Sequence, residues 1–194
     1  MPTPFQKAIT AIDGANSADP NNVTINGQHT PKELAYAIWV TDWVKELNPD
    51  ASEILLLAAR GAHICRWTTP RTEYPEGAAG YHAWRNELKE YHADKTGEIL
   101  RDAGYDDAAI DTVRRLIRKQ DLPGDPDAQT LEDALCLVTL EHQIDGMIAR
   151  EPEDKMVRIL RLTWAKMSES GRQRAGEVEL SDKGKELLER ALEG

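Results

Sequence analysis

Residues 54–67, ILLLAARGAHICRW, decide the fold. At 3.6 residues per turn this run is apolar on nearly every side, which predicts a helix at the centre of a helical domain and not on its surface. Asp50-Ala51-Ser52-Glu53 supplies a capping start, so the central helix is expected over residues 51–67. Outward from it, Thr30-Pro31-Lys32-Glu33 reads as N-cap, first-turn proline and capping-box glutamate. The helix it opens buries some of Leu34, Ile38, Trp39 and Trp43 and stops near Leu47-Asn48-Pro49. Phe5, Ile9 and Ile12 form a short apolar stripe, followed by a loop over residues 15–27 with a small turn at Ile25-Asn26-Gly27. On the other side, residues 68–80 hold two prolines and two glycines, a long irregular connection of the kind that often carries function. Helical periods resume over 81–103, 106–119, 130–148, 155–167 and 182–192, with a Pro/Asp-rich turn starting at Leu122. No stretch shows the period-2 alternation of a sheet. The expectation is one all-α domain over residues 1–194, a helical bundle of about seven or eight helices.

Composition narrows the function classes. The 194 residues are 40% hydrophobic, enough for a sizeable core, and 30% charged. A net charge of −10, from 24 Lys+Arg against 34 Asp+Glu, disfavours binding to nucleic acid or to an anionic membrane. No apolar run reaches the roughly 18–20 residues that span a bilayer, and the first twenty residues have no signal-peptide pattern, so a cytoplasmic protein is expected. Cys65 and Cys136 lack CxxC spacing and read as reduced core thiols.

The five histidines are the starting point for chemistry. His63 lies in the central run and shares a helical face with Arg66 and Trp67. In the 81–103 segment, Tyr81, Arg85, Leu88 and His92 fall at i, i+4, i+7 and i+11, flanked by Trp84 and Lys89. Phenol, guanidinium, ammonium and imidazole groups stand where an ordinary amphipathic helix carries leucines, as in a site for an anion or a carboxylate-bearing molecule. A solvated face of snorkelling side chains gives the same pattern. Thr130-Leu131-Glu132-Asp133 precedes an apolar run, so either acid serves as a first-turn cap and the other can face the core. If Asp133 points inward, it joins His63 and His92 as a ligand set suited to zinc, manganese or iron. Lys166-Met167-Ser168-Glu169-Ser170 is similar to the KMSKS loop of class I aminoacyl-tRNA synthetases, but it lacks the second lysine and the chain has no βαβ unit to support it.

Together, PKELAY (31–36), AARGAHICRW (58–67), YPEGAAGYHAWRNELKEYHA (74–93), QTLEDALCLVTLEH (129–142) and TWAKMS (163–168) resemble domain of unknown function family 4202, whose members often carry a glutamyl-tRNA synthetase label. The resemblance covers residues 4–170 and leaves 171–194 as a C-terminal helical extension. A more distant similarity is to HD-domain metalloenzymes. It implies a divergent HD-like bundle with Ala62-His63 at the His-Asp position, His92 at a later histidine, Asp133 at the final aspartate, and Tyr36 in place of the early histidine. The paired signature is broken, so the resemblance implies a one-metal or metal-free site. Against the closer family, Ala37, Ile38 and Trp39 replace a Ser-Glu-Arg-like stretch and Thr139 replaces an aromatic, which implies a different ligand for this member.

Three readings follow. In the first, a metal-dependent, hydrolase-like enzyme holds its ion with His63, His92 and Asp133. Arg66, Trp67, Tyr81, Trp84, Arg85 and Lys89 then bind a small anionic substrate, while Glu132 or Tyr36 orients water or substrate. The second is a metal-free protein binding a small ligand among the same aromatic and cationic groups. The third is a non-haem iron oxygenase using the His/His/Asp set. The sequence does not name the oligomeric state.

Overall fold

The computed structural model describes residues 1–120 and 124–193. Helix α1 (Pro4–Asn16) leads through a loop to a hairpin of β1 (Asn22–Ile25) and β2 (Gln28–Pro31). The two antiparallel strands are joined by Asn26-Gly27, both at positive φ (50° and 78°), as a tight two-residue hairpin turn requires. Then come α2 (Lys32–Leu47), α3 (Glu53–Gly61), α4 (Gly77–Ala103), α5 (Asp107–Arg118) and α6 (Pro126–Val138). A π-helical turn over Thr139–Gln143 carries α6 into α7 (Ile144–Ile148), and α8 (Glu153–Lys166), α9 (Glu169–Ala175) and α10 (Asp182–Leu192) follow. The fold is all-α apart from this small hairpin.

Helix α3 is central, as its apolar run predicts: it touches α1, α2, α4, α5 and α6, and Leu55, Leu57 and Ala58 have no exposed surface. Ser52 caps it by accepting the Leu55 N–H. It ends six residues earlier than expected, at Gly61 and not Trp67. A Cβ on Gly61 would lie 2.3 Å from Thr96 Oγ1, so α3 and α4 meet too closely there for any side chain. Beyond it Cys65 adopts a left-handed conformation (φ 52°), with its N–H held at 2.9 Å by the Asn16 carboxamide oxygen. Arg66 and Trp67 follow in a single 3-10 turn over Arg66–Thr68.

Helix α6 also differs from the expected start at Thr130. Asp125 accepts the N–H groups of Asp127 and Ala128, and the helix begins at Pro126. Glu132 and Asp133 therefore lie one and a half turns in, 5% and 3% exposed, and neither caps this helix. Part of the turn read at Leu122, Leu122-Pro123, lies outside the described residues.

Apolar side chains gather in two clusters, one around α1–α6 and a second in which Leu137, Leu140 and Ile144 meet Met156, Leu160, Ala175 and Leu187. Among the described residues no helix is long and apolar enough to cross a membrane.

Candidate functional site

The first turn of α2 sets the site. Its N-cap, Pro31, offers no side-chain hydrogen bond, so the capping box read at Thr30 and Glu33 does not form. Asp19 takes over from fourteen residues upstream. One carboxylate oxygen accepts the Glu33 N–H at 3.0 Å, and the other accepts the Asn21 N–H at 2.9 Å. The Glu33 side chain is thus released from capping and turns inward, 5% exposed, where its Oε2 has no hydrogen-bond partner among the described residues.

One turn later Tyr36, 4% exposed, stacks on His63 with ring centroids 4.2 Å apart and planes 7° from parallel. His63 Nδ1 lies 3.9 Å from Glu33 Oε2. Arg66 Nη1 lies 3.4 Å from His63 Nε2; an arginine nitrogen only donates, so Nε2 accepts and Nδ1 carries the proton. The His92 ring is 5.7 Å from that of His63. Its Nδ1–H donates to the Ile64 carbonyl at 2.8 Å, leaving Nε2 bare, buried and unpartnered. Two buried acceptors near His63, Glu33 Oε2 and His92 Nε2, are therefore without donors, an arrangement that costs stability unless a donor reaches them.

The cationic side of the site comes from the turn after α3 and from α4. The Arg66 guanidinium rests 4.7 Å over the Trp84 ring, and Trp84 Nε1 donates to the Thr69 carbonyl at 2.8 Å, tying α4 to the irregular connection after α3. Gly80 allows that connection to close down, since a Cβ there would lie 1.9 Å from the Pro75 carbonyl oxygen. Half-buried Arg85 and Lys89 have no hydrogen-bond or ion-pair partner among the described residues. Tyr81 stands at the rim, 45% exposed and 5.9 Å from Trp84. Trp67 packs against the main core instead.

Charge and burial act together here. Burial, reinforced by Arg66, His92 and Arg85, holds His63 well below the usual histidine range, and burial with Arg66 brings His92 down to about 3. Both imidazoles are neutral at pH 7. Burial, opposed by Arg66 and Lys32, raises Glu33 to about 7, so its carboxyl is half protonated at neutral pH. The Tyr36 phenol is raised above its usual value, chiefly by burial.

The remaining expected residues serve elsewhere. Glu132 is ion-paired to Lys119 and lies 3.9 Å from the Lys166 ammonium; although burial pushes its carboxyl up, Lys119 holds it below the usual range. Asp133 was expected beside His63 and His92, but its carboxylate accepts Gln129 Nε2, the Ser168 N–H at 2.9 Å and the Ser168 hydroxyl. A Cβ on Gly171 would touch that carboxyl at 2.6 Å, so Asp133 pins the start of α9. Among the described residues no group of three His, Cys, Asp or Glu side chains is arranged to hold a metal ion. The expected His63/His92/Asp133 triad is therefore not assembled, since the Asp133 carboxylate is taken up by Gln129 and Ser168.

Elsewhere, a concavity of about 260 Å³ lies between α2 and the π-helical turn, lined by Trp39, Asp42, Trp43, Glu46, Glu141 and His142. Trp39 stacks on His142 at 3.7 Å, and Trp43 Nε1 donates to Glu141 at 2.7 Å. Arg174 of α9 lies 5.6 Å over the Trp43 ring and pairs with Glu46, so the cleft already holds a cation of the chain's own.

Sequence reading missed Glu33 and Asp19, since a glutamate three residues after a threonine is spelled identically whether it caps or turns inward.

No curated protein matches this chain, and no solved structure does. A family model described as "Domain of unknown function (DUF4202)" matches residues 6–188, nearly the whole chain including α10 up to Leu188. The chain belongs to the DUF4202 family.

Proposed function

We propose that the chain binds a small anionic molecule in the cleft between α2, the turn after α3, and α4, without a metal ion. The observation that carries this reading is the pair of guanidinium groups, Arg66 and Arg85. They act on the same three neighbours, Tyr36, His63 and His92, and on each other, and Arg85 has no counter-ion among the described residues. Unpaired, half-buried guanidiniums are costly, and a planar carboxylate or a phosphoryl group satisfies their fork of donors. The bare His92 Nε2 can in addition accept from a hydroxyl or amine where the ligand carries one.

A metal-dependent hydrolase or an iron oxygenase at this place fits less well. Of the three expected ligands only His63 and His92 are together, and His63 Nε2 already accepts from Arg66. A dication would also meet two guanidiniums at close range in a desolvated site, which opposes its binding.

Thermal unfolding of protein purified without a chelator or affinity tag tests this, using sulfate, phosphate, small dicarboxylates, zinc and manganese as probes. At about a hundred times its Kd a true ligand stabilises by roughly 2.7 kcal/mol, or about 5–10 °C for a chain of this size. An anion is expected to produce this shift in the wild type and to lose it in Arg85→Ala. Stabilisation by zinc or manganese and by no anion overturns the reading in favour of the metal enzyme.

A further inference from the structure

We infer that Glu33 is the proton-exchanging group of this anion site: its carboxylate takes a proton from solvent as the anion arrives and returns it on release. The inference rests on the anion-binding reading above. It starts from geometry. Glu33 is buried, its Oε2 is unpartnered and lies 3.9 Å from His63 Nδ1, and the other nitrogen of the same imidazole meets Arg66. An anion seated on Arg66 and Arg85 takes over positive charge that now favours an ionised Glu33, and adds negative charge beside a buried carboxyl. Both effects favour the neutral carboxyl. Once protonated, that carboxyl becomes a donor, directed into the site beside the anion.

The groups around Glu33 make it the one that turns over near neutrality. Lys32 and Tyr36 flank it on α2, and Asp19 holds its N–H from the loop before β1. From the turn after α3 come His63, Cys65 and Arg66; from α4, His92 and Arg85; from α6, Cys136 acts on Tyr36, while α1 contributes the uncharged Asn16. Burial pushes both imidazoles toward the neutral form, His92 to about 3 and His63 well below the usual histidine range, and the two thiols and the phenol are raised by burial and stay protonated. The guanidiniums keep their charge throughout. Glu33, at about 7, changes state in the middle of that window.

Sulfate is the probe, because it is a dianion across the whole range and adds no titration of its own. Calorimetric titrations at pH 5.5, 7 and 8.5, at constant ionic strength and in two buffers of different ionisation enthalpy, give affinity and proton uptake together. The expected uptake is near zero at pH 5.5 and about half a proton per site at pH 7, and affinity falls at least about tenfold between pH 5.5 and 8.5. Glu33→Gln keeps the backbone N–H that Asp19 holds. It is expected to bind sulfate with no uptake and with the same affinity at all three pH values. Sulfate binding by the wild type with no uptake, or uptake that persists in Glu33→Gln, removes Glu33 from this role and leaves the anion reading standing. If the wild type binds no sulfate at any pH, the anion reading falls and this inference falls with it. If Glu33→Gln does not fold, the wild-type profile decides: uptake centred near pH 7 supports the role, and absent or differently centred uptake overturns it.

Discussion

Replacing Glu33 by glutamine is expected to make the protein more stable in alkaline solution than in acid, relative to wild type, in the absence of any ligand. The carboxyl is buried and raised from 4.5 to about 7, chiefly by desolvation. Between those two values the folded state binds more protons than the unfolded state, so wild-type stability from this group is fully present below pH 4.5 and lost as pH rises through 7. At about 1.4 kcal/mol per unit, a difference of roughly two and a half units amounts to about 3 kcal/mol. Glutamine has nothing to ionise. Whatever constant penalty the amide brings beside His63 and Arg66 cancels when the two proteins are compared across pH. The measurement is urea unfolding of both proteins at pH 4.5, 6, 7 and 8.5. The stability of Glu33→Gln minus that of wild type is expected to grow by about 3 kcal/mol from the first condition to the last, equivalent to roughly 6–12 °C in Tm. A difference that stays flat with pH refutes the placement of Glu33 as a buried, uncompensated carboxyl.

The histidines give the opposite limb. His92, held at about 3 while the unfolded chain titrates near 6.5, contributes stability that is present above pH 6.5 and lost as pH falls. The wild type is expected to lose about 2 kcal/mol from this residue between pH 6.5 and 4.5, a loss absent in His92→Gln, and equal acid sensitivity in the two proteins counts against the buried imidazole. Asp133→Ala strands the Ser168 N–H and hydroxyl and the Gln129 amide; about 3 kcal/mol of destabilisation in a urea titration is expected, and a loss below about 0.5 kcal/mol would contradict the pinning role. Gly80→Ala forces Pro75 away from α4 and is expected to lift the 68–76 connection, seen as faster limited proteolysis there and a shifted Trp84 emission; an unchanged cleavage pattern goes against the close approach.

Local chemistry was readable along the chain. The run at residues 54–61 is apolar on nearly every side, Arg60 excepted, and burial at the centre of a bundle accommodates such a helix. Trp84, Arg85 and His92 lie on one rigid helix, where period alone places side chains, and His63 and Arg66 stayed neighbours through a tight turn only three residues long. Asn26-Gly27 declared its turn because few residue pairs tolerate two positive φ angles in succession. Tertiary structure decided what each acid does. Thr30 and Glu33 carry the letters of a capping box, but Asp19 reaches the same N–H first, and Glu33 is thereby free to enter the cleft. Asp133 looked like a ligand or a cap and became neither, because Asp125 starts α6 a turn earlier and Ser168 stands across from it. Helical period depends on residues three or four apart, whereas the partner of a buried carboxylate is chosen across fourteen or thirty-five residues. That choice rests on which donor is closest once the helices have packed, a distance that no local pattern contains.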